Sequence, residues 1–600
     1  MRALRLPALA ALSALLLAPT ASGQGAPDDP TPGVQFNGLG RTYIQQTDLG
    51  GTLLDTDTTT VETIADGEFV LDLAVSAQPN RVTEVQGILR LRNEFGGFFG
   101  SGVTIEVREL WARGVVANAL EYRLGDLDLA LTPYTVFLPD ADGTVNAPAV
   151  FEPQRERVFY EEFYTGQNTR RFQGADLDFG LAFDQVLDEV DVRGFLARLR
   201  PTDFTTTPTR LIAGGRVGAT SARIGPLGTQ ATLGVNHSFV WDDLDSGNAN
   251  DGIRNSVITL DGALGLVDEP GYTARLIGEG GWSTVSLAQQ RDSTAAGGDV
   301  TEIVDRTFEE DDTFIVLGLE GGFPQSGIEA GVRFVNMGPD FFSAAAQSKR
   351  IDYTRALGSF NRIGNERGQR RIALFDVTRD PSVYTFRVED QLMVFDPRYN
   401  NALPYGRATP NRRGVRLDAR YTPDGSPLSA DLLLALLSEI RGQGTTELRD
   451  FTLARVGADL AVAPLVGYAR NLGVSLGLQV EQTSRGGEAI EAVDLSSLLI
   501  EAGLSAEVYD RLDVLLGVSS RQSDGREYVP QFERFNDIRD FPGPFVTDDA
   551  ETLLGAGLRY RFRDEIYLTV QVQRFSYGDD ATPDDDYHLD QVFALFSMPF

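Results

Sequence analysis

The sequence predicts an all-β fold, a transmembrane antiparallel β-barrel of about 22 strands, within a range of roughly 18–24. Three observations support this prediction. Segments of about 9–11 residues, the length of a tilted membrane strand, alternate between apolar and polar side chains. The connections between these segments are alternately long and short. The number of segments is even, so both ends of the chain fall on the same side of the membrane.

The alternation is clear in several segments. Over residues 472–481, Leu and Val occupy the even positions, and Gly, Ser, Gln and Glu occupy the odd ones. Residues 176–184 and 415–421 have the same period of two, with Asp or Arg on the polar face. A strand with two different faces requires this period. A soluble β-sandwich also shows it, so alternation alone does not distinguish the two folds.

The connections favour the barrel. Short ones carry turn residues, as at 324–327 and 423–426, whereas we expect long loops at 132–171, 289–312, 339–412 and 520–550. Long loops on one side and tight turns on the other are typical of a transmembrane barrel. One segment is irregular, because its apolar residues change parity between Leu124 and Leu127. A β-bulge at 125–126, or two merged segments, would explain the change.

The N-terminus predicts export. Residues 1–23 have Arg2 and Arg5, an apolar run from Leu6 to Ala18 and small residues at 21–23, the pattern of a secretory signal peptide. Residues 24–32 would then be a short polar leader, with the barrel at 33–600. No later stretch approaches the ~20 apolar residues of a membrane helix. An exported chain of this kind is either a soluble protein or a β-barrel.

Composition excludes several kinds of site. The chain has no Cys and only two His, which excludes disulfides and a His/Cys metal site. Its net charge of −33 makes nucleic acid an unsuitable partner. No Ser stands in a nucleophile motif, so we expect neither an enzyme nor a cofactor. Asp584, Asp585 and Asp586 form a weak Ca²⁺ candidate, with a solvated loop tip as the alternative.

The last segment, residues 587–600, carries a resemblance. Its apolar side chains stand at every second position and the chain ends on an aromatic carboxylate; the matching residues are Phe596, Met598 and Phe600. This ending resembles the C-terminal assembly signal of porin-like outer-membrane β-barrels of Gram-negative bacteria. Met598 departs from the signal, because it stands where an aromatic residue is usual. The resemblance implies an outer-membrane location, extracellular long loops, periplasmic short turns, and the barrel-assembly machinery and outer-membrane lipid as partners.

The long loop 339–412 has a composition of its own. Aromatic residues are spread along it, and it carries twelve bases and eight acids in a chain that is strongly acidic overall. A wide barrel must fill or use its interior. We therefore expect this loop to fold into the lumen, as constriction loops do in porins, with an extracellular cap as the alternative. Its candidate lumen residues are Arg350, Arg355, Arg362, Arg367, Arg370 and Arg371.

The inward faces of the strands supply further candidates. Arg pairs, Arg198 with Arg200 among them, are expected to face carboxylates across the lumen. Rings of charge set ion preference, and the sequence leaves open whether cations or anions are preferred. The candidate wall residues are Arg416, Arg420, Arg559, Arg561, Asp176, Asp178 and Glu481.

These patterns predict a channel for diffusion or facilitated uptake of small polar or charged solutes. The alternative is a barrel without transport, acting as a surface adhesin or as a scaffold of an envelope or secretion complex. TonB-dependent receptors also have 22 strands. They resemble this chain poorly, because they carry a large N-terminal plug domain and only residues 24–32 precede the first strand here. The sequence does not determine the oligomeric state.

Overall fold

The computed structural model contains, within the residues it describes, one closed sheet of 22 antiparallel strands. The described residues are 33–52, 62–95, 102–138, 147–158, 170–183, 186–205, 207–223, 229–244, 252–294, 300–348, 372–377, 388–390, 392, 398, 400–442, 444–534, 537–580 and 586–600. The predicted signal peptide and leader, 1–32, lie outside them.

The strands follow one another around the ring in chain order. They are β1 Val34–Gly50, β2 Thr63–Asn80, β3 Thr83–Glu94, β4 Val103–Val116, β5 Leu120–Leu129, β6 Arg170–Ala182, β7 Leu187–Arg200, β8 Thr209–Ser221, β9 Ala231–Asp243, β10 Gly252–Glu269, β11 Tyr272–Thr294, β12 Val300–Phe323, β13 Ile328–Met337, β14 Arg412–Tyr421, β15 Leu428–Ser438, β16 Asp450–Ala461, β17 Leu472–Arg485, β18 Val493–Tyr509, β19 Leu512–Arg534, β20 Asp537–Arg561, β21 Tyr567–Asp579 and β22 Tyr587–Pro599. Short helices are α1 Glu152–Val158, α2 Leu374–Val377 and α3 Ala463–Val466.

The ring closes where β22 pairs with β1. Their antiparallel register runs from Leu39 opposite Pro599 to Gly50 opposite His588. Beyond it, Gly38 N donates to Phe600 O at 2.9 Å and Phe600 N donates to Gly38 O at 3.0 Å. The last residue of the chain is therefore part of the seam. A closed ring has no free edge, so every strand has a hydrogen-bonded neighbour on each side.

The two faces of each strand differ in polarity. On β22, outward-facing Val592 is 40% exposed, whereas its inward-facing neighbour Gln591 is 1% exposed. Around the ring the outward faces form an apolar belt, which includes Leu233, Leu260, Leu276, Leu317, Val332, Leu436, Leu478, Ile500, Leu516, Leu554 and Val572. A closed barrel with an apolar outer surface is the arrangement that a bilayer requires. The predicted fold and strand number are confirmed.

In the described ranges, no helix has both the length and the hydropathy needed to cross a bilayer.

The short connections lie at one end of the barrel. The turn after β12 is a 3-10 turn, Pro324–Ser326, followed by Gly327 at φ 61°. This left-handed conformation suits Gly, which explains the Pro-Gln-Ser-Gly sequence. The turn after β14 spans 422–427, close to the predicted 423–426. Most connections at this end are shorter than those at the other end, as the sequence predicted. The exceptions are 222–230 and 462–471, which are long for this end, and 535–536, which is short for the other.

Two predicted long loops are wrong. The segments 289–312 and 520–550 are mostly strand, because β11 and β12 stay paired as far as Thr294 and Val300. Likewise, β19 and β20 stay paired as far as Arg534 and Asp537. These hairpins extend beyond the apolar belt, where neither face has to be apolar. Alternating hydropathy marks a strand only where lipid covers one face, so the sequence pattern ended before the strand did.

The predicted bulge at 125–126 is absent from the pairing of β5 with β6, which is continuous from Leu120 to Leu129. The apolar residues change face instead. Leu124 points outward and is 47% exposed, whereas Leu127 points inward and is fully buried. The inward face of β5 is apolar at this level because a connecting segment packs against it inside the barrel. A bulge does occur nearby, on β4 at Arg108.

The apolar belt leads to a depth-dependent prediction. Replacing Leu317 of β12 by Arg should lower the free energy of unfolding by about 2–4 kcal/mol, because the charge would face the bilayer core. Replacing Thr313, on the same face of the same strand but at the edge of the belt beside Trp282, should cost at most ~1 kcal/mol. Urea titration of the protein refolded into lipid vesicles measures both. Equal costs would contradict the assigned outer face.

Candidate functional site: the barrel interior

Two connecting segments pack against the inward faces of the strands. The first insert lies between β5 and β6, and its described residues are 130–138 and 147–158. The second insert lies between β13 and β14, and its described residues are 338–348, 372–377, 388–390, 392, 398 and 400–411. Buried apolar clusters combine side chains of both inserts with inward side chains of the wall. The described residues of the inserts therefore lie inside the ring, against its wall.

The first insert rests in a groove lined by glycines. A Cβ atom at Gly517 of β19 would lie 2.6 Å from Val150 Cγ1 and 2.7 Å from Pro148 Cβ. A Cβ atom at Gly555 of β20 would lie 2.6 Å from the ring of Phe151. Side chains at these inward positions would therefore occupy the volume of the insert. The wall is built of Gly here so that the insert backbone can approach it.

Helix α1 of the first insert crosses the closing seam. Gln154 Nε2 donates to Gln591 Oε1 of β22 at 2.6 Å, and Arg41 of β1 donates to Glu156 at 2.9 Å. Tyr567 of β21 donates its hydroxyl hydrogen to Glu156 at 3.2 Å. These bonds connect the helix to three neighbouring strands. The insert therefore braces the barrel where its first and last strands meet.

The second insert binds inward polar groups of strands β17 and β20. Leu374 N donates to Glu551 of β20 at 2.7 Å, and Asn401 N donates to Glu481 of β17 at 2.9 Å. Arg398, whose side chain is fully buried, forms an ion pair with Asp549 at 2.8 Å. Charge-assisted hydrogen bonds of this kind are about twice as strong as neutral ones. The wall thus supplies carboxylates to the second insert, whereas glycines of the wall make room for the first insert.

The two inserts also contact each other. Phe137 N of the first donates to Ala345 O of the second at 3.0 Å. Asn255 of β10 fixes this junction, since its side chain donates to Phe342 O at 3.0 Å and accepts from Ala344 N at 2.9 Å. The described parts of the inserts therefore act as one body bound to the wall on several sides.

A cavity of about 300 Å³ lies between the inserts and strands β9 to β15. Pro133 and Tyr134 of the first insert and Leu403, Arg407 and Thr409 of the second form part of its lining. The charged residues that line it are Asp261, Glu279, Glu320, Arg275, Arg333, Arg407, Arg412 and Arg416. The lining therefore carries more cations than anions.

The carboxylates of this cavity already have partners. Glu320 binds Arg275 at 2.5 Å and also binds Arg333. Asp261 binds Arg216 of β8 at 2.5 Å, and Glu279 accepts a hydrogen bond from Thr132 Oγ1 at 2.6 Å. These contacts hold the three acids against the wall and the first insert.

Of the remaining cations, Arg412 has a structural role. It donates to Asn401 O at 2.9 Å and to Ala402 O at 3.0 Å, and its guanidinium lies 3.8 Å from the centre of the Phe451 ring. It therefore fastens the end of the second insert to β14. Arg407 and Arg416 are left facing the cavity.

The structure places the wall residues predicted from the sequence on the inward face, but with other partners than expected. Asp176 pairs with Arg193 at 2.8 Å, while Arg561 pairs with Asp513 at 3.0 Å. Arg559 lies 3.4 Å from Glu152 of α1. Arg420 and Asp178 share the inward parity of Arg416 and Asp176 without lining the cavity.

Some predicted residues lie outside the described part of the chain or face another way. Arg198 shares its parity with the exposed Leu196, and a register shift between Arg198 and Arg200 turns only the latter towards Asp242, so they do not form an inward pair. Phe596, Met598 and Phe600 face outward on the seam strand, and their role as an assembly signal stays a prediction. The candidates outside the described residues are Arg350, Arg355, Arg362, Arg367, Arg370, Arg371, Asp584 and Asp585.

The described residues supply no further metal ligands around Asp586 of the weak Ca²⁺ candidate. There, Asp586 accepts a hydrogen bond from Asp579 N at 3.1 Å, and no group of three or more His, Cys, Asp or Glu side chains could hold a metal.

Sequence reasoning missed the residues that complete the cavity. Arg333 and Glu279 stand at inward positions of β13 and β11, so strand parity could have found them. Tyr134 carries no such signal, because its position depends on how the first insert folds back into the barrel. It packs on Phe314 of β12 with 4.6 Å between ring centres.

The glycine groove leads to a prediction about the first insert. Gly517→Ala should loosen residues 147–151 by about 1–3 kcal/mol, because the added methyl group overlaps Val150 and Pro148. Amide hydrogen exchange of this segment should then become roughly tenfold faster. Gly473→Ala is the matched control, since the nearest atom to its added Cβ is 3.8 Å away. Unchanged exchange in Gly517→Ala would contradict the packing described here.

No protein-family description and no curated protein matches the sequence. OpdQ of Pseudomonas aeruginosa has a similar fold, with 9% identity, a TM-score of 0.32, and coverage of 94% of this chain and 98% of OpdQ. The ferric citrate transporter FecA gives 10% identity, a TM-score of 0.45, and coverage of 94% and 78%. The copper transporter OprC gives 12% identity, a TM-score of 0.41, and coverage of 93% of this chain and 80% of OprC.

These likenesses are too distant to carry an argument about function. The fold assignment rests on the strand order, the closed seam and the apolar outer belt. The chain is a closed 22-stranded antiparallel β-barrel of the outer-membrane type.

Proposed function

We propose that this barrel resides in the outer membrane and carries small polar or charged solutes through its lumen, with the two inserts setting the aperture. The cavity between the inserts and the wall is the observation that carries the proposal. Charged side chains of β10 to β14 line this cavity together with residues of both inserts. No cofactor and no covalent chemistry is needed for this function.

The inward wall towards the short turns supports a hydrated path. Below the inserts, ion pairs line the strands, such as Arg193 with Asp176 and Arg216 with Asp261. A second cavity of about 600 Å³ opens near the turns of β2 to β7, lined by Arg81, Arg113, Glu121, Asp178 and Arg193 among others. Charged walls of this kind suit a water-filled channel rather than a packed core.

The inserts would have to yield for a solute to pass. They are held by hydrogen bonds, ion pairs and apolar contacts in which loops meet a rigid wall. Loops on a rigid scaffold are the parts of a protein that open at the lowest free-energy cost. In this proposal the strands provide a permanent ring, and the inserts decide how much of its cross-section conducts.

A barrel without transport is the second candidate, and one feature favours it. Phe151 and Phe375 of the inserts are almost fully buried together with Phe575 and Leu589 of the wall. An apolar contact of this kind resists opening. A silent barrel in electrical recordings would favour a surface adhesin or an envelope scaffold, which would use the outer loops as its binding surface.

Excising the second insert tests the proposal. Asn411 N donates to Gly338 O at 3.1 Å, so residues 340–410 can be replaced by a two-glycine turn without separating β13 from β14. We expect a severalfold rise in single-channel conductance in planar bilayers, because the described residues of this insert occupy space inside the ring. Unchanged conductance would place the insert outside the conducting path, and silence in both proteins would support the scaffold.

A single substitution should act in the same direction. Arg398→Gln removes the fully buried cation that pairs with Asp549, and breaking such a pair costs about 3–5 kcal/mol. We expect more frequent openings in the same recordings. Arg574→Gln is the matched control, since it breaks a pair with Asp590, at 3.1 Å, on the outer face of the barrel. Equal records for the two variants would contradict a role of the insert in gating.

A further inference from the structure

We infer that Arg416 and Arg407 form an anion cradle in the 300 Å³ cavity, and that its ligand is a small organic carboxylate with a compact apolar body. The inference rests on the proposed transport function for its biological meaning, but its binding test does not depend on conduction. The argument uses the two guanidinium groups, the balance of charge around them and the apolar part of the lining.

Arg416 is a partly buried cation whose Nε lacks a hydrogen-bond acceptor among the described residues. Its side chain is 16% exposed. Asp418 is 4.0 Å away, but that carboxylate is already bound by Arg333. A buried charge is costly unless it is paired and hydrogen-bonded. A ligand carboxylate in the cavity would instead pair with the accessible part of this guanidinium and offset the cost of its burial.

Arg407 is presented by a tight and well-fixed turn. It lies in the 3-10 turn Gly406–Ala408, where Thr409 Oγ1 donates to Gly406 O at 2.7 Å and accepts from Tyr405 N at 3.2 Å. The side chain of Arg407 is exposed to the cavity and forms no ion pair within the described part of the chain. A fixed backbone with an uncommitted guanidinium is suited to binding an anion that arrives from solution.

The charge around the cavity selects for a negative ligand. Five Arg and three acidic residues line it, in a protein whose net charge is −33. The acids are already bound by Arg275, Arg333, Arg216 and Thr132, so they do not neutralise Arg407 or Arg416. A local excess of cations inside an acidic protein attracts anions to that place.

The remainder of the lining sets the shape and polarity of the ligand. Ile277, Val316, Val335, Leu403 and the ring of Tyr134 are apolar surfaces in the same cavity. A volume of 300 Å³ is at the small end of ligand pockets. An inorganic anion would leave these surfaces without a partner, whereas a carboxylate on a small ring or branched chain would cover them and gain free energy from their burial.

Titration calorimetry on the detergent-purified full chain tests the cradle with benzoate as the probe. We expect benzoate to bind, and benzamide, its uncharged isostere, to bind at least about tenfold more weakly, because the guanidinium groups would lose their charged acceptor. Inorganic phosphate should also bind more weakly, since it lacks the apolar body. Equal binding of benzoate and benzamide, or of benzoate and phosphate, would overturn the proposal.

Variants locate the site. Arg407→Gln and Arg416→Gln should each weaken benzoate binding roughly tenfold to a hundredfold. Arg407 is exposed on its turn, so its replacement should leave the fold intact even if that of Arg416 does not. Arg413→Gln, on the outward face of the same strand, is the matched control. Undiminished binding by Arg407→Gln, or equal loss in Arg413→Gln, would overturn the assignment.

The binding result and the transport result are separable. Benzoate binding that depends on Arg407, in a protein that gives no current, would retain the cradle and remove the transport function. Channel activity without any benzoate binding by the wild-type protein would retain the transport function and overturn the cradle.

Discussion

The structure depends on the absence of water in the bilayer core, where each strand must find backbone partners within the protein. The pairing of β22 with β1 meets this requirement, and it extends to the last residue, whose amide and carbonyl both bond to Gly38. An open ribbon of the same strands would leave two rows of unpaired groups in lipid. Closure therefore determines which face of every strand is apolar, and it leaves the inward face free to vary.

A ring of 22 strands encloses more space than its own side chains can fill. The inserts use this space, and the wall is adapted to each of them. Where the first insert lies, Gly517 and Gly555 remove side-chain volume. Where the second insert lies, Glu481 and Glu551 present acceptors for its backbone amides. The inward face thus has apolar, glycine and charged regions. The residue type in each region matches the part of an insert that contacts it.

Charged side chains are concentrated in the cavity between the inserts and the wall. The three acids of the cavity are held by Arg or Thr, whereas Arg407 and Arg416 stand in the cavity with no acid committed to them. Arg407 belongs to an insert and Arg416 to a strand. In the proposed function, selectivity therefore arises at the boundary between an insert and the strand wall, and not from a ring of wall residues alone.

The sequence by itself determined the barrel and its strand number, because lipid imposes a period of two and a fixed strand length on every crossing. It did not reveal the ends of the β11–β12 and β19–β20 hairpins, because strands in water need no apolar face. It also placed Arg416 on the inward face but not the contacts of Tyr134, Arg398 or Arg407. Only the tertiary structure decided these, because they depend on how segments distant in the chain fold back against the wall, and no local periodicity encodes such contacts.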